Sequence, residues 1–402
     1  MSRVEQYSRL RIAVLIKRFL RTGGAEKYAM EVVRRLALDH DVHVFSHEWS
    51  YEGPEPITFH RIPRLCVKPA WANQLVFSYL TRRAVGPDFD IVHSFEKVAY
   101  CDVMTVQSPC FGNPSAGEKT LWKRMRNGVR LVMSPRKLAW RWLEKRQFSR
   151  SGAKVVIAVS EQVKRNVQAH YLLPDERFRL AYTGVSLPER TVSHPHEDPI
   201  SLRTQLGLAP GALVVLFVGT EFKRKGLDAL LQGFALLPRS RFTLLVAGGG
   251  GGRLAYYKDL AERLQLSREV KFIGLVSDVE RLYSIADFYV LPTLSDPCPL
   301  APLEAMAAGV ATVMSSSEFN GSAELIKNGE ALILSDPNDP QEIATVLLKL
   351  TDGQFRTTQA QKGRQLVRQL TWDKTAADTL SAYRDVIRMR AVCGARCNSS
   401  LR

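Results

Sequence analysis

A chain of 402 residues is too long for one comfortable core, so two domains of roughly 150–200 residues each are expected. With 45% hydrophobic and 24% charged residues it is not a disordered chain, and no run of about 18 apolar residues offers a membrane span. The formal net charge of +16 calls for an acidic partner: nucleic acid, an anionic membrane surface or a phosphorylated substrate.

The first apolar run, "IAVLI", is too short for a signal peptide, has basic residues on both sides and precedes no small-residue cleavage site. Within "LRIAVLIKRF" it reads as a buried strand. After the Gly23-Gly24 pair, Ala29, Val32, Val33, Leu36 and Ala37 recur at helical spacing, and "DVHVFSH" reads as the next strand. The chain therefore opens β-loop-α-β, the unit of a parallel sheet. Further strands are expected at "FDIVHSF", "DVMTVQS" and "AKVVIAVS", with the helix "EQVKRNVQAHY" behind Ser160. The "DFD" at 88–90 stands on the entry side of its strand, the wrong end for a metal site. These elements predict an N-terminal domain over residues 1–190.

Within it, residues 119–154 hold twelve Lys or Arg against one acid, Glu144, most of the chain's charge. Trp122, Trp140, Trp142 and Phe148 are interleaved, so residues 117–154 read as a basic amphipathic insertion. Such a mixture suits an anionic membrane surface, where aromatic rings sit at headgroup level and each cation adds about 1 kcal/mol. The candidate contacts are Lys119, Lys123, Arg124, Arg126, Arg130, Arg136, Lys137 and Arg141. The plain alternatives are a solvated helix pair whose tryptophans pack on the domain, and a nucleic-acid groove. Membrane contact is ranked first and nucleic acid is not expected.

Around "LPERTVSHPHEDPI" the periodicity stops, and residues 191–211 read as a linker. Strand and helix then alternate strictly from "ALVVLFVGT" through "FTLLVAGGGGG", "LAYYKDLAERLQL", "VKFIGLV", "DVERLYSIA" and "DFYVLPT", defining a second domain over 212–371. A terminal helix over 372–390 is expected to pack back on the first domain, and residues 391–402 are expected to be loose. The fold class that follows is α/β, two Rossmann-like β/α/β domains facing a central cleft, with ligands outside the carboxyl ends of the strands.

The loops at those ends carry the chemistry. "GTEFKRKG" places Arg224 and Lys225 after the second domain's first strand, a fork and a point charge suited to a diphosphate, or else a solvated basic turn. Residues 250–255 match G-x-G-x-x-A, a weak dinucleotide signal, since no acid ends the next strand. "SDPCPLAPLEAMAAG" carries Asp296 in a loop and Glu304 in the first turn of a helix starting near Pro302. Leu300 and Ala301 are poor caps, so the free N–H groups of that helix suit a phosphate. The bland reading of Glu304 is an acid favouring the helix dipole. Glu26, beside the first-domain glycines, is either a group that orients the acceptor or an ordinary first-turn acid, and the second reading is preferred. The six cysteines form no C-x-x-C pair and read as free thiols of a reducing cytoplasm.

"TGGAEKYAMEVVRRLA", "VGTEFKRKGLDALLQGFA", "LLVAGGG", "VKFIGLVSDVERLYSIADFYVLPTLSDPCPLAPLEAMAAGV" and "GSAELIKNGEALIL" resemble the family 4 glycosyltransferases of the GT-B fold over residues 11–388, most strongly from Val214 to Asp336. The resemblance implies sugar transfer from a nucleotide-sugar with retention and, in general, no metal. It implies that Glu304 holds the ribose and Asp296 faces the sugar. By the same likeness, amides near Leu300 and Ala301 meet sugar and diphosphate, Arg224 and Lys225 bind the diphosphate, and Gly23 and Gly24 close over it. Two departures stand out. Asp296 is a methylene shorter than the usual Glu, and Gln107 and Ser108 stand where the family often has a His. "FEKVAYCDVMTVQSPCF" is similar to the subgroup that glucosylates the lipopolysaccharide core. The expected function is a cytoplasmic, membrane-peripheral, retaining hexosyltransferase that needs no cofactor beyond its UDP-sugar substrate and acts on a lipid-linked saccharide. An exopolysaccharide or capsule transferase is the alternative, and a non-enzymatic anion or nucleic-acid binder is the rival of a different class.

Overall fold

Unbroken runs of Val, Leu, Ile and Ala suit strands covered on both faces, the pattern of a parallel sheet. In the computed structural model, which describes residues 9–20, 23–108, 110, 134–149, 151–187, 198–238, 241–249, 252–276 and 278–399, every named strand pairs in parallel. The chain divides into two units, Met1–Tyr182 with Trp372–Arg402, and Thr183–Thr371.

The first unit contains β1 (Arg11–Leu15), β2 (Arg18–Phe19), β3 (Asp41–Ser46), β4 (Glu48–Trp49), β5 (Ile57–Arg61), β6 (Ile91–Ser94), β7 (Val103–Val106), β8 (Val155–Ala158) and β9 (Phe178–Leu180). Its sheet runs β5-β3-β1-β6-β7-β8-β9, while β2 and β4 form a separate ribbon. The second unit contains β10 (Leu213–Val218), β11 (Phe242–Ala247), β12 (Val270–Gly274), β13 (Phe288–Leu291), β14 (Ala311–Ser315) and β15 (Leu332–Leu334), ordered β12-β11-β10-β13-β14-β15. In each sheet the first strand is central and the order reverses beside it, between β1 and β6 and between β10 and β13. That reversal leaves a crevice at the carboxyl ends of the two strands, where open α/β sheets bind ligands.

Several boundaries differ from the sequence reading. The units divide at Tyr182 and Thr183, not at a linker over 191–211. Residues 188–197 lie outside the described residues, but Pro199–Gln205 is a helix of the second unit with Leu202 buried. Pro199 sits at a helical N-terminus, where its missing N–H costs nothing. The tail expected to be loose from Ala391 continues the helix Trp372–Ser399. Ser160 caps the helix Glu161–Tyr171 by accepting from the Val163 amide at 3.3 Å.

The helix Trp372–Ser399 belongs to the first unit through specific contacts. The Thr375 hydroxyl donates to the Tyr182 carbonyl at 2.7 Å, and the Trp372 and Tyr28 rings meet edge-on at 5.9 Å. The Tyr383 hydroxyl lies 2.7 Å from Nδ1 of His93 on β6, whose Nε2 is 2.8 Å from the Thr105 hydroxyl. His93 is buried, and burial pushes its pKa down to about 3. An unfolded imidazole takes a proton below about pH 6.5 and the folded one waits until about 3, so stability rises with pH across that window. Acidification from pH 6.5 is therefore expected to destabilise the first unit with a slope approaching about 1.4 kcal/mol per pH unit. His40 and His60 are also lowered by burial, so urea melts of His93→Gln should show a shallower slope, not a flat one.

Candidate active site

The second unit's switch point is built by the loops that leave β10 and β13. The β10 loop reaches from Gly219 to Gly226, where φ is +80°. A side chain at Gly226 would overlap the Pro292 carbonyl oxygen, so glycine lets the two exit loops touch through their backbones. The Leu294 amide donates to the Arg224 carbonyl at 2.8 Å, and the Thr293 hydroxyl donates to the same oxygen at 3.1 Å.

These contacts bring the basic pair onto the acid. Lys225 forms an ion pair with the Asp296 carboxylate, and Arg224 donates to the same Oδ2 at 3.3 Å and to the Ser295 carbonyl at 2.6 Å. Arg224 also pairs with Glu221. Burial pulls the Arg224 pKa down, but Asp296 and Glu221 outweigh it, and the guanidinium is held above its usual value. Asp296 is fixed from its other side, its amide donating to the Phe319 carbonyl at 2.8 Å and its carbonyl accepting from the Gly321 amide at 2.9 Å. Its side chain is 10% exposed, against 14% for Lys225 and 39% for Arg224. The carboxylate thus occupies the inner side of a cationic pair that keeps an outer, wet side. The three residues expected to act on the donor form one cluster.

The helix after this loop is Leu300–Ala307, two residues earlier at its start than the sequence suggested. Pro302 falls inside its first turn, where amides lack intrahelical partners and a proline is tolerated. Glu304 consequently sits one residue past that first turn. Pro299 precedes the helix with no side-chain cap, and Leu300 and Ala301 are partly exposed. Glu304 is positioned by a residue the sequence reading missed. The Tyr283 hydroxyl, on the short helix Glu280–Tyr283, lies 3.3 Å from Glu304 Oε2 and 3.2 Å from the Ala301 carbonyl. Burial and then the charge of Glu304 hold the Tyr283 and Tyr289 phenols well above their usual pKa, so both face the carboxylate neutral. No local pattern in "DVERLYSIADFY" marks Tyr283 for this task. Burial pushes the thiol of Cys298, in the same loop, up to about 11.

The glycine-rich stretch after β11 divides. Gly248, at φ +135°, packs where a Cβ would overlap the Gly219 carbonyl. Gly250 and Gly251 lie outside the described residues.

Gly23 and Gly24 belong to the first unit, at the start of the helix Gly24–Asp39. Gly23 precedes it at φ +98° without a side-chain cap, and the Glu26 carboxylate packs against Gly23 and pairs with Arg18.

Of the basic segment, Lys119, Lys123, Arg124, Arg126 and Arg130 lie outside the described residues. Arg136, Lys137 and Arg141 stand on the helix Pro135–Gln147. Leu138, Arg141, Trp142 and Lys145 recur at i, i+3, i+4 and i+7 and are all exposed, with Trp142 half exposed. The lone acid Glu144 points inward, pairing with Lys97 and accepting from the Tyr171 hydroxyl at 2.7 Å.

Two family models match the chain: "Glycosyltransferase Family 4" over residues 22–188 and "Glycosyl transferases group 1" over residues 200–366. An uncharacterized glycosyltransferase of Methanocaldococcus jannaschii is 30% identical over 58% of the chain, and the match spans 60% of that relative's length. The lipopolysaccharide glucosyltransferase WaaG of Escherichia coli is 23% identical over 88% of the chain and 93% of its own. Among solved structures, that of WaaG, described as a glycosyltransferase involved in lipopolysaccharide biosynthesis, superposes with a TM-score of 0.77 at 22% identity, covering 92% of this chain and 98% of that one. Anabaena HepE, solved with UDP and glucose, gives 0.67 at 19% identity, with 92% and 99% covered. At these identities the structural likeness speaks to the fold.

Proposed function

Because the chain belongs to the family 4 glycosyltransferases, with their two Rossmann-like halves, we propose that it moves a hexose, glucose first among them, from a UDP-sugar to a lipid-linked saccharide such as lipopolysaccharide core. The observation that carries this reading is the Arg224–Lys225–Asp296 cluster at the switch point between β10 and β13. Beside it, a helix start without a side-chain cap and Glu304 complete a site for a nucleoside diphosphate.

In this reading Glu304 accepts from the ribose hydroxyls, held in place by Tyr283. The diphosphate takes the outer side of Arg224 and Lys225 and the free amides at Leu300 and Ala301. As the sugar C1–O bond to the diphosphate breaks, negative charge grows on the leaving oxygen, where fixed donors and cations stabilise it. The acceptor hydroxyl attacks from the same face, its proton passes to the leaving phosphate oxygen, and the new C1–O bond keeps the configuration. Metal independence is part of the proposal, because the two side-chain cations supply the charge that a bound ion would otherwise give.

The test is a panel of nucleotide-sugars scored by release of nucleoside diphosphate, with and without a chelator. UDP-glucose is expected to lead the panel, a chelator to leave its rate unchanged, and Glu304→Ala to raise KM for every UDP-sugar by at least tenfold. A panel on which Glu304→Ala has no effect would sink the assignment.

Membrane contact through the outer face of the Pro135–Gln147 helix is a further part of the reading. No helix among the described residues is long and apolar enough to cross a membrane. The exposed row of Leu138, Arg141, Trp142 and Lys145 suits peripheral binding at an inner leaflet. Replacing Arg141, Trp142 and Lys145 by serine is expected to weaken sedimentation with anionic vesicles at least tenfold, and unchanged sedimentation would refute the contact.

A further inference from the structure

The loop after β10 holds a further acid, Glu221, to which the proposed function gives no task. Its carboxylate is 60% exposed and, among the described residues, pairs with Arg224 alone, through Nε. The backbone beneath it is fixed. The Lys225 amide donates to the Glu221 carbonyl at 2.9 Å, and the neighbouring Phe222 is buried in the core of the second unit. The side chain is therefore the part free to turn.

The donors of Arg224 show what Glu221 occupies. A guanidinium has five N–H groups, and a phosphate forks onto two neighbouring ones. Both hydrogens of Nη1 are committed to the wall of the site, one to the Ser295 carbonyl at 2.6 Å and one to Asp296 Oδ2 at 3.3 Å. Nη2 has no partner among the described residues. The fork left for a phosphate is Nε with Nη2, and Glu221 stands on its Nε arm. A diphosphate cannot take both arms while the carboxylate stays. Arg224 does not depend on Glu221 for its aim, because Ser295 and Asp296 already fix Nη1. The charges agree with this. With Glu221 in place, two carboxylates balance Arg224 and Lys225, and turning it out leaves a net positive charge facing an incoming dianion.

We propose that Glu221 is a resident counter-ion that the diphosphate displaces: it holds the open fork of Arg224 before the donor binds, yields it to the donor, and returns to it as the nucleoside diphosphate product leaves. The inference rests on the reading of Arg224 and Lys225 as the diphosphate site. Glu221 acts through Arg224 and touches no reacting atom. Its effect is to raise KM and to speed product release. An exposed carboxylate suits that exchange, because the pair it forms is weak enough to break.

The test titrates UDP and inorganic pyrophosphate into the full chain, native and Glu221→Gln, at low and at high salt. The variant is expected to bind both ligands about two- to fivefold more tightly at low salt, the strength of an exposed ion pair, with the gain shrinking at high salt. Stopped-flow displacement should place most of the gain in slower UDP release, and KM for the nucleotide-sugar should fall. Glu221→Ala should show the same gain, so that a hydrogen bond from the glutamine amide is not its source. Unchanged or weaker binding of both ligands by both variants would overturn the inference, since Glu221 would then be inert or an aid to Arg224. A gain indifferent to salt overturns it as well. If pyrophosphate binds with the expected gain but UDP binds to no form of the chain, the exchange stands and the nucleotide-sugar reading falls instead. If neither ligand binds any form, both fall.

Discussion

Asp296→Asn is expected to bind UDP about tenfold more tightly than the native chain while losing about 2 kcal/mol of stability in the second unit. The two effects share a cause. Asp296 holds Lys225 and Arg224 from the inner side, so an incoming diphosphate meets cations already partly neutralised. An amide of the same shape removes the competing charge and the repulsion of a dianion. Arg224 stays in place because its anchors to the Ser295 carbonyl and through its own carbonyl to Leu294 do not involve the carboxylate. The stability loss follows because Lys225, 14% exposed, loses its buried counter-ion. Breaking a fully buried pair costs about 3–5 kcal/mol, and the wet outer side of both cations brings the figure down. UDP titrations with urea melts on the same protein check both halves. Weaker UDP binding in the variant would mean that the carboxylate orders the cations instead of competing for them.

This cluster shows how far the sequence could be read. Arg224, Lys225, Asp296, Leu300, Ala301 and Glu304 all lie in the loops and helix that follow two strands, and strands of unbroken Val, Leu and Ile are legible from composition. Their mutual pairing was not legible, because it depends on β10 and β13 lying side by side although residues 219–290 separate their carboxyl ends, Val218 and Leu291. The elements that escaped share a physical reason. The helix Ala70–Ala84 buries Asn73, Gln74, Ser78 and Thr81, and the helix Gly353–Val367 buries Gln359. Gln74 donates to the Lys97 carbonyl at 2.9 Å, Ser78 accepts from the Ala99 amide at 2.9 Å, and Gln359 accepts from the Thr312 amide at 3.1 Å. Helices whose inner faces satisfy neighbouring backbone carry no apolar stripe, so hydrophobic periodicity passes over them. Gln107 and Gln147 are the same residue type with the opposite outcome, since the two atoms they turn to the interior stay unmatched.

Gly226→Ala is expected to be a severely disruptive single-methyl change, costing about 3–5 kcal/mol, and its cost can be resolved into two parts. The first part is conformational. At φ +80° an L side chain crowds its own backbone, which costs about 1–2 kcal/mol. The second is steric, because the added methyl would overlap the Pro292 carbonyl oxygen and force the two exit loops apart. Gly211 isolates the first part. It has a nearly equal φ of +75°, lies in the same unit, and a Cβ there would meet nothing within 4 Å. Gly211→Ala should therefore cost only the conformational share and leave UDP binding intact. Gly226→Ala should cost at least twice as much and weaken UDP at least tenfold, because parting the loops carries Arg224 and Lys225 away from Asp296 and the start of the Leu300 helix. Urea melts and UDP titrations of the two variants measure the difference. If they prove equally stable and equally able to bind UDP, close backbone approach is not what assembles this site, and the basic pair reaches the acid through side-chain length alone.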